Sequence, residues 1–154
     1  MKKVLLFGFV CGALSVVIFH QGTAFLMFHH AAKVPALADI FGRWNPPFNV
    51  APVPPFGVPT IASQAFWGGL WGIALAAILR ATRVPDLATG FVFGAVVVTL
   101  TAFTLVAQLK GLPMFAGGNQ QVWWRAGLLN GAWGFGTVFL LRPFQLQVLR
   151  YPED

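Results

Sequence analysis

Residues 4–28 read VLLFGFVCGALSVVIFHQGTAFLMF, an apolar run without Asp, Glu, Lys or Arg. About 20 apolar residues in a helix are enough to cross the hydrocarbon core of a bilayer. Lys2 and Lys3 precede the run as they would in a secretory leader. The apolar part of a leader, however, extends over only about 7–15 residues, so the segment reads as a retained transmembrane helix. Three further segments have the same character, at about 58–79, 87–109 and 122–141.

The composition agrees with that reading. Of 154 residues, 57% are hydrophobic and only 9% are charged, against about 25% charged in a soluble domain. So few charges cannot cover the surface of a water-soluble globule, and 16 Phe with 6 Trp exclude a disordered chain. The net charge of +6 raises the question of nucleic acid, but the longest basic run is Lys2-Lys3. The cations sit at the ends of the apolar segments, which points to a bilayer rather than to nucleic acid. Lys2, Lys3, Arg80, Arg83, Arg142 and Arg150 fall on one side, and Lys33, Arg43, Lys110 and Arg125 on the other. By the positive-inside rule both termini are cytoplasmic, in a bacterial inner membrane. The lone Cys11 lies in an apolar run and reads as a small buried hydrophobe.

The expected fold is therefore one all-α membrane domain of four helices, with an outer loop at 29–57 and a short cytoplasmic tail at 143–154. In the loop, Leu37, Ile40, Phe41 and Trp44 follow Pro35 at helical spacing, with Asp39 and Arg43 four residues apart. That pattern predicts a short helix lying in the membrane interface. The Pro-rich stretch NPPFNVAPVPPFGVP at 45–59 then predicts a stiff, extended cap without internal hydrogen bonds.

Within the run at 4–28, Gly8-Phe9-Val10-Cys11-Gly12-Ala13 is matched by Gly90-Phe91-Val92-Phe93-Gly94-Ala95, an offset of 82 residues. The second and fourth segments match at an offset of 62: Gly69, Trp71, Gly72 and Arg80 correspond to Gly131, Trp133, Gly134 and Arg142. The chain reads as two tandem pseudo-repeated hairpins related by an axis along the membrane normal. Chance likeness of glycine-rich apolar segments is the competing explanation. Pairs spaced Gly-x-x-x-Gly, at Gly8/Gly12, Gly68/Gly72, Gly90/Gly94 and Gly127/Gly131, predict close helix packing, and Gly69 belongs to a seam of small residues with Ala62, Ala65, Gly72 and Ala76.

Polar residues in the spans concentrate in the outer half: His20, Gln21, Gln64, Gln108, Arg125 and Asn130. Such groups are either functional or simple interhelical hydrogen-bonding partners. Arg125 beside Trp123 and Trp124 reads as a cation snorkelling in an aromatic belt. No acidic residue lies inside a span, which argues against ion-coupled transport and removes most acid–base catalysis. No nucleophile with a base at useful spacing is visible, and no metal-ligand spacing either. His20 is the one residue with a cofactor reading, as a ligand or hydrogen-bond partner to a pigment or quinone. No cofactor is predicted, although contact with lipid, quinone or pigment is compatible with the pattern. Counting about 100° per residue from the glycine stripe, His20 and Gln21 should turn away from the bundle, toward another chain or the capping loop. By the same count Trp67 and Trp71 form a bulky outward stripe that also carries Gln64.

These features predict a small non-enzymatic inner-membrane protein, an accessory or assembly subunit that packs against a larger membrane complex. The alternative is a small oligomeric channel or transporter with a polar pathway in the outer half. The expected partners are the lipid bilayer and other membrane subunits or further copies of the chain.

Overall fold

The computed structural model describes residues 2–82 and 84–144; Arg83, Arg150 and most of the expected tail lie outside the described residues. In chain order the elements are α1 (Lys2–Lys33), α2 (Pro35–Phe41), β1 (Pro52–Val53), β2 (Val58–Pro59), α3 (Thr60–Ala81), α4 (Asp86–Leu109) and α5 (Gln120–Leu141). Three of these, α1, α3 and α4, are long and apolar enough to cross a membrane. The fourth long helix, α5, matches α3 at 22 residues but carries Gln120, Gln121, Arg125 and Asn130 in its first half.

Two of the long helices are not uniformly α-helical. A π-turn at Val16–His20 interrupts α1, and two more, at Phe93–Val98 and Ala102–Val106, interrupt α4. A π-turn takes in one extra residue, so every side chain beyond it is rotated by about 100° from its straight-helix direction. The first of these turns decides where His20 and Gln21 point.

Glycine governs how the helices meet. A Cβ on Gly8 would lie 2.8 Å from Ile73 Cα and 2.9 Å from the Gly72 carbonyl oxygen, and one on Gly12 would lie 2.9 Å from Gly72 Cα. Neither is tolerable, so α1 and α3 approach backbone to backbone. Gly69 instead seats the Phe9 ring, which a Cβ there would meet at 2.6 Å. The contact of α4 with α5 repeats these features. Gly8 against Gly72 corresponds to Gly90 against Gly134, Gly12 against Gly68 to Gly94 against Asn130, and Phe9 on Gly69 to Phe91 on Gly131.

Gly127 departs from expectation. A Cβ there would meet only the Ala95 carbonyl oxygen, at 3.8 Å. The tight position on α5 is Gly134, because α5 meets α4 one to two turns nearer its carboxyl end. The relation between hairpins also departs from a simple two-fold. α5 packs closely along α1, whereas α3 and α4 touch much less, chiefly where Trp71 meets Phe93 edge-on at 5.8 Å. A two-fold axis would make those two contacts equal.

The interior is filled by Ser15, Leu75, Thr137 and Val138, all essentially inaccessible. Phe19 lies over Gly136, where a Cβ would overlap its ring. At the end opposite the outer loop, Arg142 at the close of α5 forms a bidentate pair with Asp86 at the start of α4, at 2.8 and 2.9 Å.

In the outer loop, α2 has proline in its first turn and stops at Gly42, whose φ of +64° ends the helix. Trp44 therefore lies beyond the helix and folds back on Phe41, ring centroids 5.8 Å apart. The Pro-rich segment is not free of internal hydrogen bonds. Its β1 and β2 pair antiparallel, Pro52 opposite Pro59 and Val53 opposite Val58, and Asn49 and Ala51 accept from the first amides of α3, Ile61 and Thr60. Proline removes donors from one edge only, so the remaining amides still close a short ribbon.

Candidate functional site

Gln21 organises the end of the bundle that carries the loop between α1 and α3. The π-turn just before it swings the side chain from an outward direction toward α3, and only 5% of the residue remains exposed. Its amide Nε2 donates to Gln64 Oε1 at 2.8 Å and lies 3.3 Å from His20 Nδ1. Its Oε1 accepts from the backbone N–H of Phe48 at 2.7 Å. One buried amide thus joins α1, α3 and the capping loop. The expectation that His20 would reach the loop is corrected: the loop is held through Gln21, and His20 is bonded to its own neighbour.

The other side of the loop is held by α5. Arg125 donates through Nη1 to the carbonyl oxygen of Arg43, and Gln121 Nε2 donates to the Asp39 carbonyl at 3.1 Å. The expected Asp39–Arg43 pairing along a helix does not form, since α2 has already ended; both residues serve α5 through their carbonyls. Trp123 Nε1 donates to Phe115 O at 2.6 Å, tying the second outer loop to the same helix.

Between the loop and the ends of α1, α3 and α5 lies a cavity of about 330 Å³. Its polar wall includes His20, Gln21, Trp44, Thr60, Gln64 and Arg125, and no Asp or Glu lines it. Trp44 contributes a buried indole Nε1 that has no hydrogen-bond partner. The structure therefore brings together His20, Gln21, Gln64 and Arg125.

Asn130 stands apart from that group. It donates through Nδ2 to Thr99 Oγ1 at 2.9 Å, and Thr99 lies 3.2 Å from the Gly94 carbonyl oxygen five residues back. Asn130 is thus a packing residue of the α4–α5 contact.

The two tryptophans of α3 part company. Trp67 is 58% exposed, beside an equally outward Phe66, whereas Trp71 packs against the core and Phe93. The outward stripe is corrected to Phe66 and Trp67, because α4 covers the face that carries Trp71.

Three polar contacts in the middle of the bundle have no clear signal in the residue pattern. Trp133 Nε1 donates to the Gly12 carbonyl at 2.9 Å. The Trp133 carbonyl in turn accepts from Ser15 Oγ at 2.6 Å and Thr137 Oγ1 at 2.8 Å. Trp133 was visible only as the repeat partner of Trp71. Among the described residues, no group of three or more His, Cys, Asp or Glu side chains is placed to hold a metal ion.

Compared with known protein families, curated proteins and solved structures, the chain finds no match.

Proposed function

We propose that the chain is a four-span protein of the bacterial inner membrane, with both termini cytoplasmic, acting as a non-enzymatic accessory or assembly subunit of a larger membrane complex. α5 is taken as the fourth span. It has the length of α3, and its one cation, Arg125, lies near the end where the outer loop sits. The contact-for-contact likeness of Gly8–Gly72 to Gly90–Gly134 and of Phe9–Gly69 to Phe91–Gly131 supports a duplicated hairpin over chance likeness.

The observation that carries the subunit reading is a sealed interior combined with outward aromatic bulk. Inward of the cavity, Ser15, Leu75, Thr137 and Val138 close the bundle, which supports packing over transport through a single copy. Phe66 and Trp67 meanwhile project from the second turn of α3, one turn inward of Gln64 and the cavity. Exposed rings of that size side by side suit a groove on another membrane helix, where aromatic anchors carry much of the binding energy.

The test is native-membrane purification of the full chain with a photo-crosslinking residue at position 67 or, as control, at the exposed Val97 of α4. A defined heteromeric adduct from position 67 alone supports the subunit reading. Adducts only between copies of the chain favour the oligomeric channel or transporter. Equal lipid adducts from both positions contradict a partner at this face.

A further inference from the structure

We propose that the cavity under residues 44–49 binds a phosphate group, presented by a phospholipid headgroup of the outer leaflet. The subunit reading needs no ligand there; the lipid source rests, with that reading, on α5 crossing the membrane.

The first argument is charge. Arg125 is half-buried and lines the cavity, yet no carboxylate does. Among the described residues the ion pair formed is Asp86–Arg142, at the other end of the bundle. Among the described residues Arg125 has the neutral carbonyl of Arg43 as its partner. A guanidinium carries five N–H donors. Drawn out of water without a counter-ion it is costly to hold, and an oxyanion in the cavity removes that cost.

The second argument is the donor inventory. His20 Nδ1 faces the Gln21 amide nitrogen, which leaves the other ring nitrogen as the N–H donor. The indole N–H of Trp44 is buried behind the wall with no acceptor, a rare state, and it becomes a donor to the cavity only when the ring turns. Three of the four side-chain amide oxygens of the wall are engaged: Gln64 Oε1 by Gln21, Gln21 Oε1 by Phe48 and Asn49 Oδ1 by Ala51, which leaves that of Asn45. A surface with a cation and an imidazole donor, but with most of its amide acceptors spent and no carboxylate, suits an oxyanion over a cation or ammonium group.

Size and depth then select the molecule. A cavity of about 330 Å³ is at the small end of ligand sites, which run from about 300 to 1,000 Å³. It admits a phosphodiester headgroup and is too small for a tetrapyrrole pigment. Arg125 follows the exposed Trp123 and Trp124, side chains that mark the headgroup level of a bilayer. Free inorganic phosphate presents the same chemistry without the acyl chains.

The experiment is native mass spectrometry of the delipidated full chain in detergent. It is titrated separately with phosphatidylglycerol, with a phosphate-free glucosyl diacylglycerol, and with inorganic phosphate. The wild type should bind one phosphatidylglycerol in preference to the glycolipid. Arg125→Gln should weaken that binding about tenfold or more, the scale of one lost charge-assisted hydrogen bond, and Arg125→Lys should restore part of it. Ala126→Leu fills the cavity wall while keeping the arginine, and should also weaken binding. If Arg125→Gln does not fold, Ala126→Leu carries the test. Phosphatidylglycerol binding that inorganic phosphate competes away, in an Arg125-dependent manner, keeps the phosphate site and assigns it to the free ion. Equal binding of both lipids, or binding unchanged in Arg125→Gln or in a folded Ala126→Leu, overturns the proposal.

Discussion

The indole Nε1 of Trp133 donates to the carbonyl oxygen of Gly12 at 2.9 Å, at the same level where a Cβ on Gly12 would lie 2.9 Å from Gly72 Cα. Gly12 is therefore the point where α1 meets α3 through its missing side chain and α5 through its carbonyl. The contact between hairpins and the contact within the first hairpin share one residue.

Trp133→Phe keeps most of the buried ring and removes the donor. It should destabilise the folded bundle by about 1 kcal/mol, the usual net worth of one hydrogen bond. Thermal unfolding in detergent reads the effect, with Trp71→Phe as a control, since the Trp71 ring meets Phe93 edge-on. Equal losses from the two variants would mean that ring volume, not the Gly12 bond, matters.

The glycines should divide by neighbour rather than by motif. Gly72→Leu and Gly134→Leu push a side chain into the facing backbone and should cost about 3 kcal/mol or more. Gly69→Leu and Gly131→Leu displace a phenylalanine ring and should cost about 1–3 kcal/mol, the range of overpacking. At Gly127 a Cβ makes only an ordinary contact with the Ala95 carbonyl oxygen, so Gly127→Leu should unfold close to wild type. A Gly127→Leu variant as damaged as Gly72→Leu would contradict the packing described.

Gln21→Leu strands the Phe48 amide and removes the bond to Gln64. The expected cost is about 1–3 kcal/mol, that of leaving a buried polar group unmade. The more specific readout is hydrogen exchange, which should speed up across residues 44–51 while the middle of α1 stays protected. His20→Leu removes only the 3.3 Å contact with Gln21 and should leave that exchange pattern nearly unchanged. Faster loop exchange in His20→Leu than in Gln21→Leu would return the anchoring role to His20.

Asn130→Gly restores the glycine that the first hairpin has at Gly68. The variant loses the bond to Thr99 and gains helix-interior flexibility worth about 1 kcal/mol against it. Lower thermal stability is expected, with faster exchange near the π-turn at Phe93–Val98. A more stable variant would show that glycine symmetry outweighs the Asn130–Thr99 bond.

Much of the helical architecture was legible from apolar run length, which located the long helices, three of them long and apolar enough to cross a membrane. What misled was the assumption of constant helical pitch. The π-turn at Val16–His20 leaves no residue signature in the sequence, so Gln21 was placed facing outward when it is buried against Gln64 and the loop. Trp71 was misplaced for another reason. Its direction on α3 was countable, but which neighbour covered that face depended on how the hairpins dock. Gly127 fitted the spacing rule but faces no close neighbour, because the level at which two helices cross is set by both partners.

The proposed lipid site, the proposed duplication and the subunit reading all rest on α5 crossing the bilayer. The most direct measurement is a set of reporter fusions after residues 45, 82 and 116 of the full chain, read with one enzyme active only outside the cytoplasm and one active only within it. Fusions at 45 and 116 should report the outer side and the fusion at 82 the cytoplasm, while a reporter joined after residue 144 should also be cytoplasmic. A fusion after residue 144 on the same side as that at 116 would mean that α5 does not cross, and would contradict the account.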